Sequence, residues 1–218
     1  MLLSSVLLSA FFAGVVATLV TVAIEKFGGR TGGVLATVPT TIIPAAIGMY
    51  SMSTGSEFDR AMSVVPLGML VNALFLLVWM KVPARYGTEL VATMFLSLLV
   101  WASVGTIGLY GADLVQDKGL SELSFGLLLL LILILLGIWS TWTSAPAPKG
   151  KHRVRPLVLI ARGGAAALAI GCAVWLSSLS YAMISGLVST FPAIFLTSMV
   201  ALWLSQGQDV PQGAAGPM

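Results

Sequence analysis

Thr37, Pro39, Thr40, Thr41 and Pro44 stand in one apolar stretch of the chain, and Ser189, Thr190, Pro192 and Thr197 in another. These residue types suit recognition better than bond-making. Each proline deletes an amide donor and pushes its ring against the preceding turn of a helix. The carbonyls so freed need partners, which inside a membrane can be hydroxyls, water or a bound solute. Asn72 is the one carboxamide in the middle of an apolar segment, and it adds two donors and an acceptor. Together these residues are the candidate substrate-binding set. For each stretch alone, a proline kink whose threonines satisfy their own backbone is the commoner explanation.

The two stretches are related. Gly33-Val34-Leu35-Ala36-Thr37-Val38-Pro39 recurs as Gly186-Leu187-Val188-Ser189-Thr190-Phe191-Pro192, with glycine, threonine and proline in register. The same offset carries the row Ala10, Gly14, Thr18 onto Gly163, Ala167, Gly171. Small residues four apart let helix backbones approach closely. Two helices and the connection between them therefore look duplicated.

The elements that must position these residues are transmembrane helices. Of the 218 residues, 58% are hydrophobic and only 9% charged; mean hydropathy is +1.01. A soluble chain of this length needs more polar residues to cover its surface. Apolar runs of about 20 residues, long enough to cross a bilayer, recur throughout. The reading is an all-α integral membrane protein with about seven spans, near 2–24, 33–51, 61–80, 89–110, 123–142, 156–178 and 184–204. The first could be mistaken for a signal peptide, but it lacks a basic leading region and its apolar run is long.

Charge distribution supports this count. Lys26, Arg30, Lys81, Arg85, Lys149, Lys151, Arg153, Arg155 and Arg162 fall on one side, and only Arg60 and Lys118 on the other. Basic residues mark the cytoplasmic side. The N-terminus is expected outside and the C-terminus inside, in a bacterial inner membrane or a eukaryotic plasma or organelle membrane. Spans one and two match spans six and seven across an odd number of crossings, so the repeat is of inverted topology. Residues 1–144 form the first repeat with its connecting helices. Residues 145–155 are a basic Pro/Gly linker, and 156–218 a second, incomplete repeat. It stops where a third helix should begin, which favours a truncated chain with one to three further helices.

Individual spans carry further expectations. Pro66 and Gly68 mark a flexible point in span three. Span four, with Ser97, Ser103, Gly105 and Thr106, should face protein. Span five is almost pure Leu/Ile from Leu127 to Leu136 and should face lipid. Arg162 lies about 9 Å inside span six, and snorkelling to the surface is the favoured reading over solute binding. The run Gly28-Gly29-Arg30-Thr31-Gly32-Gly33 reads as a re-entrant or hinge loop, since no Walker lysine spacing follows.

Other chemistries lack their residues. No acidic side chain lies at the centre of a span, so a buried-carboxylate proton carrier is missing. No lysine within a span could form a retinal Schiff base, and no His-Glu-x-x-His is present. Cys172 and His152 are single, so no metal cluster is expected, and the ten methionines suit packing better than a soft-metal site. No base stands near Ser189 or Thr190 in sequence. An enzyme and a cofactor are therefore not expected. The stretch Ile184 to Pro192 resembles the terminal helix of small GlpM-like inner-membrane proteins. That resemblance implies a small dimerising membrane unit, duplicated and fused, and nothing about chemistry.

The leading expectation is a small secondary transporter working by alternating access, its site at the paired proline-interrupted helices two and seven. With no central charge pair the solute should be small and neutral or anionic. A non-enzymatic scaffold or accessory subunit, and an ion channel, are the alternatives. Expected partners are the lipid bilayer and the solute, with a homodimer left open and no nucleic acid.

Overall fold

The computed structural model describes residues 2–27, 41–119, 121–142 and 156–209, with 211 and 215. Thr37, Pro39, Thr40, the 28–33 glycine run and the 145–155 linker lie outside the described residues. Among the described residues the elements are helices: α1 (Leu2–Phe27), α2 (Ile42–Met52), α3 (Gly55–Ser63), α4 (Val65–Tyr86), α5 (Leu90–Asp117), α6 (Glu122–Trp142), α7 (Pro156–Ser178), α8 (Ala182–Ser189) and α9 (Ala193–Gln206). Among the described residues, five stretches are long and apolar enough to cross a membrane: Gly55–Tyr86, Leu90–Val115, Leu123–Ser140, Pro156–Ser178 and Ala182–Leu204. Two apolar stretches, Leu3–Leu19 and Ile42–Met52, are shorter. The chain is an all-helical membrane protein.

Two of the five long stretches are broken. α3 and α4 meet at Val64, and Pro66 follows in the first turn of α4. Proline is tolerated there because that turn has no intrahelical acceptor for its missing N–H. α3 is the polar half, and its first turn is closed by the Thr54 N–H donating to Glu57 Oε2 at 3.0 Å. The second break separates α8 from α9 at Thr190-Phe191-Pro192. The proline expected to interrupt span seven does so.

α1 and α7 form the most extensive helix pair. Their small rows face each other. A Cβ added to Gly171 would lie 3.3 Å from the Ala10 Cβ. One added to Gly14 would lie 3.0 Å from the Gly163 carbonyl oxygen and 3.4 Å from the Ala167 Cβ. One added to Gly163 would lie 2.7 Å from Thr18 Oγ1. The pairs Ala10–Gly171, Gly14–Ala167 and Thr18–Gly163 run antiparallel. Larger side chains at these positions would force the axes apart and forfeit the dispersion contacts that hold helices together in lipid.

α4 forms the centre of the larger apolar core. Val71, Phe75 and Trp79 are fully buried there, with Trp101 of α5, Leu187 of α8 and Met199 of α9. α5 turns a stripe of residues four apart toward this core: Thr93, Ser97, Trp101 and Gly105. Ser103 and Thr106, expected to face protein, are exposed instead, because they fall off that stripe. α6 exposes Leu127, Leu128, Leu131, Ile134 and Leu135, as a lipid-facing helix should. Arg162 departs from the snorkelling expectation. It is only 6% exposed.

Candidate functional site

The break in span seven is built by local bonding. The Thr190 N–H donates to the Leu187 carbonyl and the Phe191 N–H to the Val188 carbonyl, both at 3.0 Å. These tight i to i−3 bonds close the end of α8 and take up the Val188 carbonyl that Pro192 cannot serve. The Ser189 hydroxyl donates to the Gly186 carbonyl at 2.6 Å, and the Thr190 hydroxyl to the Leu187 carbonyl at 2.7 Å. Both hydroxyl protons are thus committed to the end of α8. Toward a ligand these oxygens offer lone pairs, not donors.

The Thr190 carbonyl is served from another helix. Asn72 of α4 donates its Nδ2–H to it at 2.8 Å. The Asn72 Oδ1 accepts the indole N–H of Trp101 at 2.9 Å. Trp101 in turn sets its ring edge-to-face on Phe191, with centroids 5.3 Å apart. One carboxamide therefore ties α4, α5 and the α8–α9 break together. Gly68, one turn before Asn72, makes the approach feasible. A Cβ there would lie 2.7 Å from the Thr190 Cβ and 2.8 Å from its Cγ2.

These residues line a partly open cavity of about 60 Å³. Thr41 and Ile42 line it from the start of α2, and Met69 and Asn72 from α4. Ala166, Ala169 and Ile170 line it from α7, and Ser189 through Phe195 from the break and the first turn of α9. The volume suits a few water molecules or a small solute, since a water needs about 10–15 Å³ on this measure. Two helix N-termini reach the cavity. Neither Thr41 before α2 nor Pro192 before α9 gives its helix a side-chain cap. First-turn amides lack intrahelical partners and carry the positive end of the helix dipole.

No known protein family, curated protein or solved structure matches the chain.

Of the residues singled out in the sequence, Thr41, Asn72, Ser189, Thr190 and Pro192 come together around this one cavity. Pro44 is buried within α2 and does not line it. Trp101 and Met69 were not anticipated, and Gly68 and Phe191 were read only as a flexible point and as part of the repeat. Trp101 had a readable signal, because an indole N–H buried among apolar residues needs an acceptor. The Asn72 carbonyl was among the few candidates.

Proposed function

We propose that the chain is a small secondary transporter of inverted-repeat design, moving a small neutral or anionic solute by alternating access. The observation that carries this reading is the partly open cavity at a helix break, lined by residues from the second and the seventh of the expected spans. In transporters, discontinuous helices present half-helix ends to a solute near the midplane. Here the start of α9, after the break at Thr190-Phe191-Pro192, is such an end, and the start of α2 lines the same cavity. Their polarity favours an anion or the negative end of a neutral dipole. The volume restricts the solute to a few heavy atoms.

The α1–α7 seam supports the duplication. Exchanging the two copies turns Ala10–Gly171 into Gly163–Thr18 and returns Gly14–Ala167 to itself. A contact set that maps onto itself under exchange is what a two-fold axis produces. For antiparallel helices that axis lies in the membrane plane, as inverted repeats require. A dimer of half-sized units, duplicated and fused, is the origin that fits this seam.

Uptake into proteoliposomes tests the reading. A saturable flux of a small anion or neutral solute is expected. One observation favours the scaffold alternative: the hydroxyls of Ser189 and Thr190 already satisfy their own helix. Absence of flux across a broad panel, together with a stoichiometric partner on purification, would establish that alternative. Flux that fails to saturate would indicate a channel.

A further inference from the structure

A second, larger hollow lies on the other side of the helix break. It is a groove of about 530 Å³ between α5 and α8. At one end stand Arg60 and Asp113, which pair with each other, with Tyr110, Ser180 and Tyr181 nearby. At the other end stand Trp101, Leu187 and Val188. From Asp113 to Trp101 the groove follows α5 for about 18 Å at 1.5 Å per residue. That is over half of a hydrocarbon core about 30 Å thick. At its inner end the groove meets the cavity wall, where Trp101 donates to Asn72.

The walls of the two spaces are in direct contact. Leu187 and Val188 line the groove, whereas Ser189, Thr190 and Phe191, next in the chain, line the cavity. Trp101 forms the groove wall, and its two described partners, Asn72 and Phe191, form the cavity wall. The indole is 9% exposed and is held by one hydrogen bond and one edge-to-face ring contact. Neither hold is covalent or ionic, and Asn72 reports on the site side to both Trp101 and the Thr190 carbonyl.

We infer that Trp101 is the gate between an access groove and the solute cavity, latched shut by Asn72 and Phe191. This rests on the transport reading above. The groove is the route by which solute arrives from the end bearing Arg60 and Asp113. Opening swings the indole off the Asn72 Oδ1, and that oxygen then becomes free to accept a hydrogen bond from a donor group of a neutral solute. Site occupancy and gate closure thus compete for one carboxamide, which couples them.

The test uses the whole protein in lipid nanodiscs with Cys172→Ser as background. Ala193→Cys places a thiol in the cavity wall, and Thr106→Cys places one in the groove. The probe is the membrane-impermeant reagent methanethiosulfonate ethyltrimethylammonium. Trp101→Ala is expected to speed modification of Ala193→Cys by about tenfold or more, the shift from losing a hydrogen bond and its packing. Trp101→Phe, which keeps a ring but loses the N–H, is expected to fall between. Thr106→Cys should react at the same rate in all three. Ala45→Cys, in the separate apolar core beside α7, should stay unreactive and so exclude general loosening. An unchanged rate at Ala193→Cys overturns the gate, as does an increase shared by Ala45→Cys. The labelling requires no solute. An enhanced rate confined to the cavity carries the gate even if no flux is found, and an unchanged rate sinks it even if flux is found.

Discussion

The Asn72 carboxamide donates to the Thr190 carbonyl at 2.8 Å, across 118 positions of sequence. That bond joins the central helix to the broken one at the point where the broken helix has lost its own ladder. It also sets the acceptor of the same carboxamide against Trp101. The position of the break, the shape of the cavity and the wall toward the outer groove therefore depend on one side chain.

Replacing that side chain should be costly. Asn72→Leu leaves the Thr190 carbonyl and the Trp101 indole N–H without this partner. Each buried group left unsatisfied costs about 1–3 kcal/mol, though interhelical bonds in membranes measure nearer ~0.6–2 kcal/mol. The expected outcome is a clear drop in Tm in detergent. Trp101→Phe in the same background should add less than it does alone, because the bond is already gone. Full additivity of the two would contradict the shared bond.

Gly68 should tolerate no side chain. Gly68→Ala brings a Cβ to 2.7 Å from the Thr190 Cβ, and overpacking of this kind costs about 1–3 kcal/mol. Thr190→Ala removes the threonine's outer atoms but keeps its Cβ. The double variant should therefore recover only part of the lost Tm. Complete recovery would place the conflict in the outer atoms alone.

The α1–α7 seam offers an internal control. Gly163 faces Thr18, whereas Gly164 beside it has nothing within reach of an added Cβ. Gly164→Ala should leave Tm unchanged or raise it by up to ~1 kcal/mol of stability through helix propensity. Gly163→Ala should lower it, because its Cβ would sit 2.7 Å from Thr18 Oγ1. Equal effects at both positions would argue that the small rows do not meet.

Local features were legible in the sequence where local chemistry creates them. Pro192 lacks an N–H, so span seven breaks there; Pro66 follows the break in span three, which begins at Val64. The small rows predicted close packing, and they pack against each other. What the sequence hid is tertiary. Arg162 is buried, and burial is a property of the packed helices that no local pattern encodes. Trp101 and Asn72 are in different spans, and only the fold brings donor to acceptor. The hydroxyls were read as ligand contacts, yet their protons cap the end of α8, since a broken helix takes the nearest donor first.

A solute site in this cavity is tested by ligand-induced thermal stabilisation of the purified protein, compared with Ala169→Leu. Ala169 lines the cavity from α7, and leucine would fill much of a space of about 60 Å³. The panel is small anions and small neutral solutes. A solute that binds only the folded protein stabilises it by RT ln(1 + [L]/Kd), about 2.7 kcal/mol at a hundredfold excess over Kd. The account predicts at least one stabilising solute whose effect disappears in a well-folded Ala169→Leu protein. A panel with no stabilising member, or stabilisation that is the same in both proteins, would contradict a solute site in this cavity.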